Sequence, residues 1–224
     1  MKDDIREKIF RKKNSFTGNI LKWSKKNSSK YPWRETSNPY DIMISEMLLR
    51  RTRASSVITV YNKFLERFPD ISRLAKGSIK DIEVLIKSLG MKSRSTRIKS
   101  VAETIVKNHG EQIPSTELKL LDIIGKGSLY TVNAIRCFGF NQKVAIFDVN
   151  VKRILERVFS IDFGKDAHKK MSSWNIASIL VPEKNVKQYN WALLDLGKSV
   201  CTGTNPKCNI CPLKTICDYA STTM

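Results

Sequence analysis

Residues 120–158 read LLDIIGKGSLYTVNAIRCFGFNQKVAIFDVNVKRILERV, and this stretch decides the fold. Ile123 and Ile124 run into a tight Gly125-Lys126-Gly127 turn. Ser128 then opens an apolar helix, carrying Val132, Ala134, Ile135 and Phe138, that fades at Gly139. Residues 144–147 are wholly apolar and deliver one carboxylate, Asp148, directly ahead of a further helix over 149–159. A Gly-x-Gly turn entering a helix leaves several backbone N–H groups free and pointing one way, which suits a phosphate oxygen. An acid held behind an apolar run and capping a helix is well placed for chemistry in a cleft. Taken singly, each half also fits a plainer reading, an ordinary turn and an ordinary N-cap.

The rest of the chain narrows the choice. With 224 residues it can bury a sizeable core in one or two domains. Forty Lys and Arg against twenty-one Asp and Glu give a formal charge of +19, an excess that points to a polyanion, nucleic acid ahead of a membrane surface. No apolar run of about eighteen residues exists, and the first residues lack the hydrophobic core of an export signal. The expectation is therefore an intracellular (cytoplasmic, nucleoid-associated) protein with no membrane partner. Helical periodicity dominates, strand patterns are almost absent, and the fold class expected is all-α.

In chain order, residues 2–13 are charged and read as a helical or frayed extension, preferably a solvated arm. Phe16, Ile20, Leu21 and Trp23 mark an amphipathic helix over 16–26, and prolines 32 and 39 punctuate an irregular connection over 27–40. Residues 41–53 form a helix on which Glu46 shares a side with Ile42, Met43 and Leu49. A half-buried acid is expensive unless paired or used; the alternative is an exposed Glu46 paired with Arg50 one turn on. Helices follow over 54–68, 71–75 and 79–89, and then a basic helix from Met91 carries Lys92, Arg94, Arg97 and Lys99 on one side. That basic face reads first as solvated and second as a DNA backbone contact. Residues 168–181 and 187–200 complete the helices.

Four of the five cysteines, Cys201, Cys208, Cys211 and Cys217, follow the spacing C-x6-C-x2-C-x5-C. Four thiolates this close can close only on a compact metal centre, tetrahedral zinc or a [4Fe–4S] cube, and ligand softness does not choose between them. A zinc ribbon usually brings β-hairpins, which the sequence lacks. Cys137, on the apolar helix, reads as core.

Several motifs in order now resemble the helix-hairpin-helix superfamily of DNA glycosylases to which endonuclease III and MutY belong. They are Tyr31-Pro32-Trp33-Arg34 with Asn38-Pro39-Tyr40, the Ser45-Glu46-x-x-Leu49-x-x-Thr52 helix, the hairpin, Asp148, and Asn190-x-x-x-x-Asp195-x-Gly197 leading into the cysteine loop. The resemblance implies a six-helix barrel over 34–145 bearing the hairpin, and a second helical domain of 1–33 with 146–224 ending in a [4Fe–4S] loop held by the four cysteines. It also implies double-stranded DNA with a mismatched or damaged base as partner, a monomer, and a base rotated out of the helix. By the same resemblance Asp148 stabilises the cationic sugar or activates water, and Glu46 sits in the base pocket. Asn150 and Asn190 line that pocket. Residues 124–128 (Ile124, Gly125, Lys126, Gly127, Ser128) grip a phosphate, and Lys207 and Lys214 face DNA.

Arg50-Arg51 resembles the pair in thymine-specific mismatch glycosylases, with Arg50 filling the duplex gap. Tyr130 takes the place where bifunctional members carry a nucleophilic Lys. The expected activity is thus monofunctional release of thymine or uracil opposite guanine. The rivals are adenine release opposite 8-oxoguanine or guanine, with Glu46 protonating the purine, and a non-catalytic iron–sulfur DNA-binding protein. The sequence ends seven residues after Cys217, without the 8-oxoguanine-checking domain typical of MutY proteins. One departure stands out: the hairpin reads I-I-G-K-G where the family usually has L-P-G-V-G. It also sets one extra residue before Tyr130, so either the hairpin bulges or the following helix begins a residue late.

Overall fold

A computed structural model describes residues 3–90 and 93–223; Met91 and Lys92 of the expected basic helix, and Lys2 of the expected arm, lie outside them. Among the described residues there is no strand and no helix long and apolar enough to cross a membrane. The chain divides into two compact units, residues 30–141 and residues 1–29 with 142–224.

The unit of residues 30–141 is built around α2 (Pro39–Leu49). This helix is apolar on every side, with Tyr40, Ile42, Met43, Ile44, Met47 and Leu48 all buried, as a helix enclosed by others must be. Asn38 starts it: its side-chain oxygen accepts from Tyr40 N at 2.9 Å, and Pro39 supplies the preset first turn. α2 packs on α3 (Ala54–Arg67), α6 (Ser93–His109) and α8 (Leu129–Ala134), while α4 (Ile71–Lys76) and α5 (Ile79–Ile86) pack on α6, and α7 (Glu117–Ile124) on α6 and α8. Asp70 and Ser78 cap α4 and α5 by accepting from Arg73 N and Asp81 N. α8 runs on through a π turn, Ile135–Gly139, that packs on α2 together with α8 itself.

The second unit joins both ends of the chain. Its helices are α1 (Asp3–Asn27), α9 (Val149–Phe159), α10 (Met171–Ile179), α11 (Val186–Ser199) and α12 (Asp218–Thr223). α1 packs on α9 and α11, with Phe16 set 5.4 Å from Phe159 and 6.5 Å from Tyr189. The expected N-terminal extension is helical, the first half of α1, but it is packed rather than solvated. Ile9 is fully buried, and Lys8 and Lys12 bind the Asp218 carboxylate. Lys12 also donates to Ile216 O at 2.7 Å and Val158 O at 3.1 Å, so charges that read as solvated serve as a clasp on the distant C-terminal segment.

Candidate functional site

The hairpin forms between α7 and α8. Gly125 adopts φ 99°, a backbone that L side chains rarely take, and its carbonyl accepts from Ser128 N at 3.0 Å. Ser128 is the N-cap residue, and α8 begins at Leu129. Gly125, Lys126 and Gly127 are exposed, whereas Ile124 and Ser128 are 4% and 7% exposed. The Gly125 N–H donates back to Leu121 O at 2.8 Å, so it is the exposed Lys126 and Gly127 that the turn offers to solvent while its flanks anchor it. The anchor is Arg97 of α6, whose Nη2 donates to Ile124 O and, at 3.0 Å, to Ser128 Oγ. Arg97 belongs to the face read as solvated. Arg94 beside it is buried, and Lys99 donates to Ala75 O, so these three residues brace neighbouring elements.

A pocket of about 230 Å³ in this unit is lined by Glu46, Met47, Arg50, Arg51, Arg94 and Arg97, together with Ile124 and Thr131. Glu46 is 7% exposed. Burial pushes its carboxyl up to about 8, only partly opposed by the Arg34 charge, so near neutrality it holds a proton. The exposed Glu46 paired with Arg50 does not occur. Arg50 and Arg51 are exposed at the pocket edge. Burial, and then the Arg50 charge, lowers the Arg97 pKa, so two guanidinium groups stand near one another in position to draw an anion. Tyr130, half-buried, stands in the first turn of α8.

In the other unit Asp148 caps α9 as its place in the sequence implied. Oδ1 accepts from Asn150 N and Val151 N, each at 2.8 Å, and Oδ2 from Asn150 Nδ2 at 2.9 Å. A carboxylate at a helix N-terminus is favoured by the free N–H groups and the dipole. The contacts continue: Arg153 Nη2 donates to Asn150 Oδ1 at 2.7 Å and to Gly197 O at 2.8 Å, and its Nε donates to Cys201 O at 2.8 Å. Asp148 is thereby tied to the first cysteine through two side chains. Gly197 makes the approach possible, since a Cβ there would come within 2.6 Å of Asn150 Cβ.

Asn190, 1% exposed, uses its amide on backbone groups. Oδ1 accepts from Ile146 N at 3.0 Å, and Nδ2 donates to Val144 O and Val186 O at 3.1 Å. It fixes the extended segment that leads to Asp148 and has no free polar group to present to a base.

Cys201, Cys208, Cys211 and Cys217 line one small cavity with Ile154, Val158 and Leu213. Burial first, and then the three other sulfurs, push the Cys211 thiol up to about 11, and burial likewise raises that of Cys217. Among the described residues, no three or more His, Cys, Asp or Glu side chains are gathered closely enough to hold a metal ion. Arg157 secures the loop by donating to Thr202 O at 2.7 Å, to Gly203 O at 3.0 Å and to Cys201 Sγ at 3.4 Å. Lys207 and Lys214 are exposed. Cys137 is fully buried in the core.

An all-α chain with an outward-facing hairpin amide turn and a buried acid among arginines is the build of a base-excision repair protein. Residues 44–175 match the model of the HhH-GPD superfamily of base excision DNA repair proteins, and the chain belongs to that superfamily. It is a DNA N-glycosylase that binds DNA. A thymine/uracil-DNA glycosylase of Pyrobaculum aerophilum is 34% identical over 203 residues, 88% of each chain. An adenine DNA glycosylase of Buchnera aphidicola subsp. Baizongia pistaciae is 35% identical over 203 residues, 90% of this chain but 57% of that one. Among solved structures, that of a thermostable thymine-DNA glycosylase superposes with a TM-score of 0.88 at 30% identity, covering 95% of this chain and 98% of the other.

Proposed function

We propose that this glycosylase is monofunctional and releases thymine or uracil mispaired with guanine. The observation that carries the reading is the pocket in which a protonated Glu46 lies behind exposed Arg50 and Arg51. Near-full-length similarity to a thymine/uracil-DNA glycosylase supports it. In this reading the N–H groups of Lys126 and Gly127 hold a phosphate and Lys126 adds charge. Arg50 fills the place of the everted nucleotide, and the pocket receives the base.

Asp148 supplies the negative charge that favours the oxocarbenium-like sugar as the base departs, or takes a proton from the attacking water. Asn150 keeps its carboxylate oriented. Glu46 donates a hydrogen bond to the departing base. Cys201, Cys208, Cys211 and Cys217 would hold a [4Fe–4S] cluster whose contribution is to cross-link the loop; Lys207 and Lys214 then meet backbone phosphates. The units that carry these groups correspond to a six-helix barrel and a cluster domain. The protein works as an intracellular monomer on double-stranded DNA.

A second reading is adenine release opposite 8-oxoguanine or guanine, favoured by the protonated state of Glu46 and by the similarity to an adenine DNA glycosylase. A departing purine needs a proton more than a pyrimidine that leaves as an anion. Duplexes carrying G·T, G·U, A·G and A·8-oxoguanine, incubated with protein and then treated with hot alkali, decide between them. Strand breaks at T and U support the first reading, and breaks confined to A overturn it.

A further inference from the structure

Arg94 is 4% exposed, and burying a guanidinium is costly unless hydrogen bonds replace its hydration. Here those bonds converge on a single turn. Nη1 donates to Leu48 O at 2.9 Å, and Nη2 donates to Arg50 O and to Thr52 Oγ1, each at 2.8 Å. α2 stops at Leu49, so these carbonyls are among those a helix end leaves without an internal partner.

Beyond the helix end the backbone leaves helical geometry. Arg50 has φ −58° and ψ 112°, and Arg51 has φ 57°. A left-handed conformation at a long side chain costs roughly 1–2 kcal/mol, so local preference does not set this turn. The planar fork of an arginine reaches its several acceptors at once, which an ammonium group does less well. The two side chains displayed by the turn, Arg50 and Arg51, edge the same pocket as Glu46.

We infer that Arg94 is a positioning residue: it fixes the turn after α2 so that Arg50 enters the duplex at the place of the everted base. The inference rests on the reading of Arg50 given under Proposed function. Arg94 also lines that pocket, but its Nη atoms are engaged on the turn, and it acts through that turn.

The test uses Arg94→Met, Arg94→Lys and Thr52→Val in the full chain. Three quantities are measured: affinity for a mismatched duplex, eversion reported by 2-aminopurine fluorescence beside the mismatch, and single-turnover base release. In Arg94→Met, eversion and release are expected to fall about tenfold or more while affinity changes less than about threefold. Arg94→Lys is expected to recover part of the loss, and Thr52→Val to lose about threefold. Wild-type eversion and release in a folded Arg94→Met protein overturn the inference. If Arg94→Met does not fold, wild-type behaviour in both Arg94→Lys and Thr52→Val overturns it.

Hydrogen exchange at residues 49–53 separates this inference from the function it rests on. Faster exchange confined to these amides in Arg94→Lys supports the bracing even if the wild-type protein releases no thymine or uracil. Unchanged exchange there rejects the bracing whatever base is released.

Discussion

Asn150 stands between Asp148 and Arg153, donating through Nδ2 to Asp148 Oδ2 at 2.9 Å while Oδ1 accepts from Arg153 Nη2 at 2.7 Å. Replacing it by Ala removes a hydrogen bond to the carboxylate and leaves part of the Arg153 guanidinium without its acceptor. Single-turnover base release should fall about tenfold in Asn150→Ala, the equivalent of roughly 1.4 kcal/mol, with duplex affinity almost unchanged. A wild-type rate in this variant would remove Asn150 from the machinery.

Asp148→Asn separates charge from shape. An amide oxygen can still accept from Asn150 N and Val151 N, so the start of α9 should persist and the melting temperature should stay close to that of the parent. The negative charge opposite the developing sugar cation is lost, and release should drop by about a hundredfold or more. Binding to the mismatched duplex should be retained. Normal excision by this protein ends the assignment of Asp148.

Glu46 predicts a pH signature in stability. Between its ordinary value of 4.5 and about 8, the folded protein keeps a proton that the unfolded chain has given up. Stability therefore falls as pH rises through that window and levels off above it, by on the order of a few kcal/mol. Glu46→Gln has no proton to lose. Its melting temperature relative to wild type should rise progressively from pH 5.5 to 8.5, and parallel curves for the two proteins would contradict the buried, protonated carboxyl.

Gly197→Ala should strain the join between α9 and α11. The added methyl would meet Asn150 Cβ at 2.6 Å and Cα at 3.3 Å, and the Cα is backbone that cannot swing aside. Overpacking of this kind costs roughly 1–3 kcal/mol, a fall of several degrees in melting temperature at this chain length. Base release should decline with it, because Asn150 is the residue displaced. A variant as stable and as active as the parent would show that the approach is not required.

Tyr130 stands in the first turn of α8, a helix without a lysine. Reduction with borohydride during turnover should then yield no efficient covalent protein–DNA adduct, and the product should be an intact strand with an abasic site. Efficient trapping would reveal a nucleophilic amine elsewhere.

What the sequence made legible were features written in local pattern. The apolar run before Asp148, and the periodicity after it, placed α9 at Val149–Phe159 with Asp148 as its cap, as found. Local pattern left Glu46 open between burial and an exposed pair with Arg50, and it was the family resemblance that put it in a pocket; it is buried. The failures share a cause, partners remote in the chain. Lys8 and Lys12 looked like a solvated arm because Asp218 lies more than two hundred residues away. Arg94, Arg97 and Lys99 looked like a wet face because their acceptors are backbone carbonyls at the ends of other helices, and no side-chain spacing records an unused carbonyl. The polar tag of Asn190 carried no sign of whether it faces a ligand or clamps backbone. The signal that could have found Arg94 was Arg50-Arg51 itself, a non-glycine turn after a helix that needs something to hold it.

The clasp between the chain ends also dictates an order of birth. α1 leaves the ribosome well before the segments after residue 148 on which it packs, the segments that cover its buried Ile9, Phe16 and Ile20. Residues 30–141 can collapse on α2 while synthesis continues, whereas α1 must wait, greasy stripe uncovered, until α9 and α11 have been made. Nascent chains halted before α11 should therefore be the ones that attract chaperones, and completion of the C-terminal helices the event that releases them.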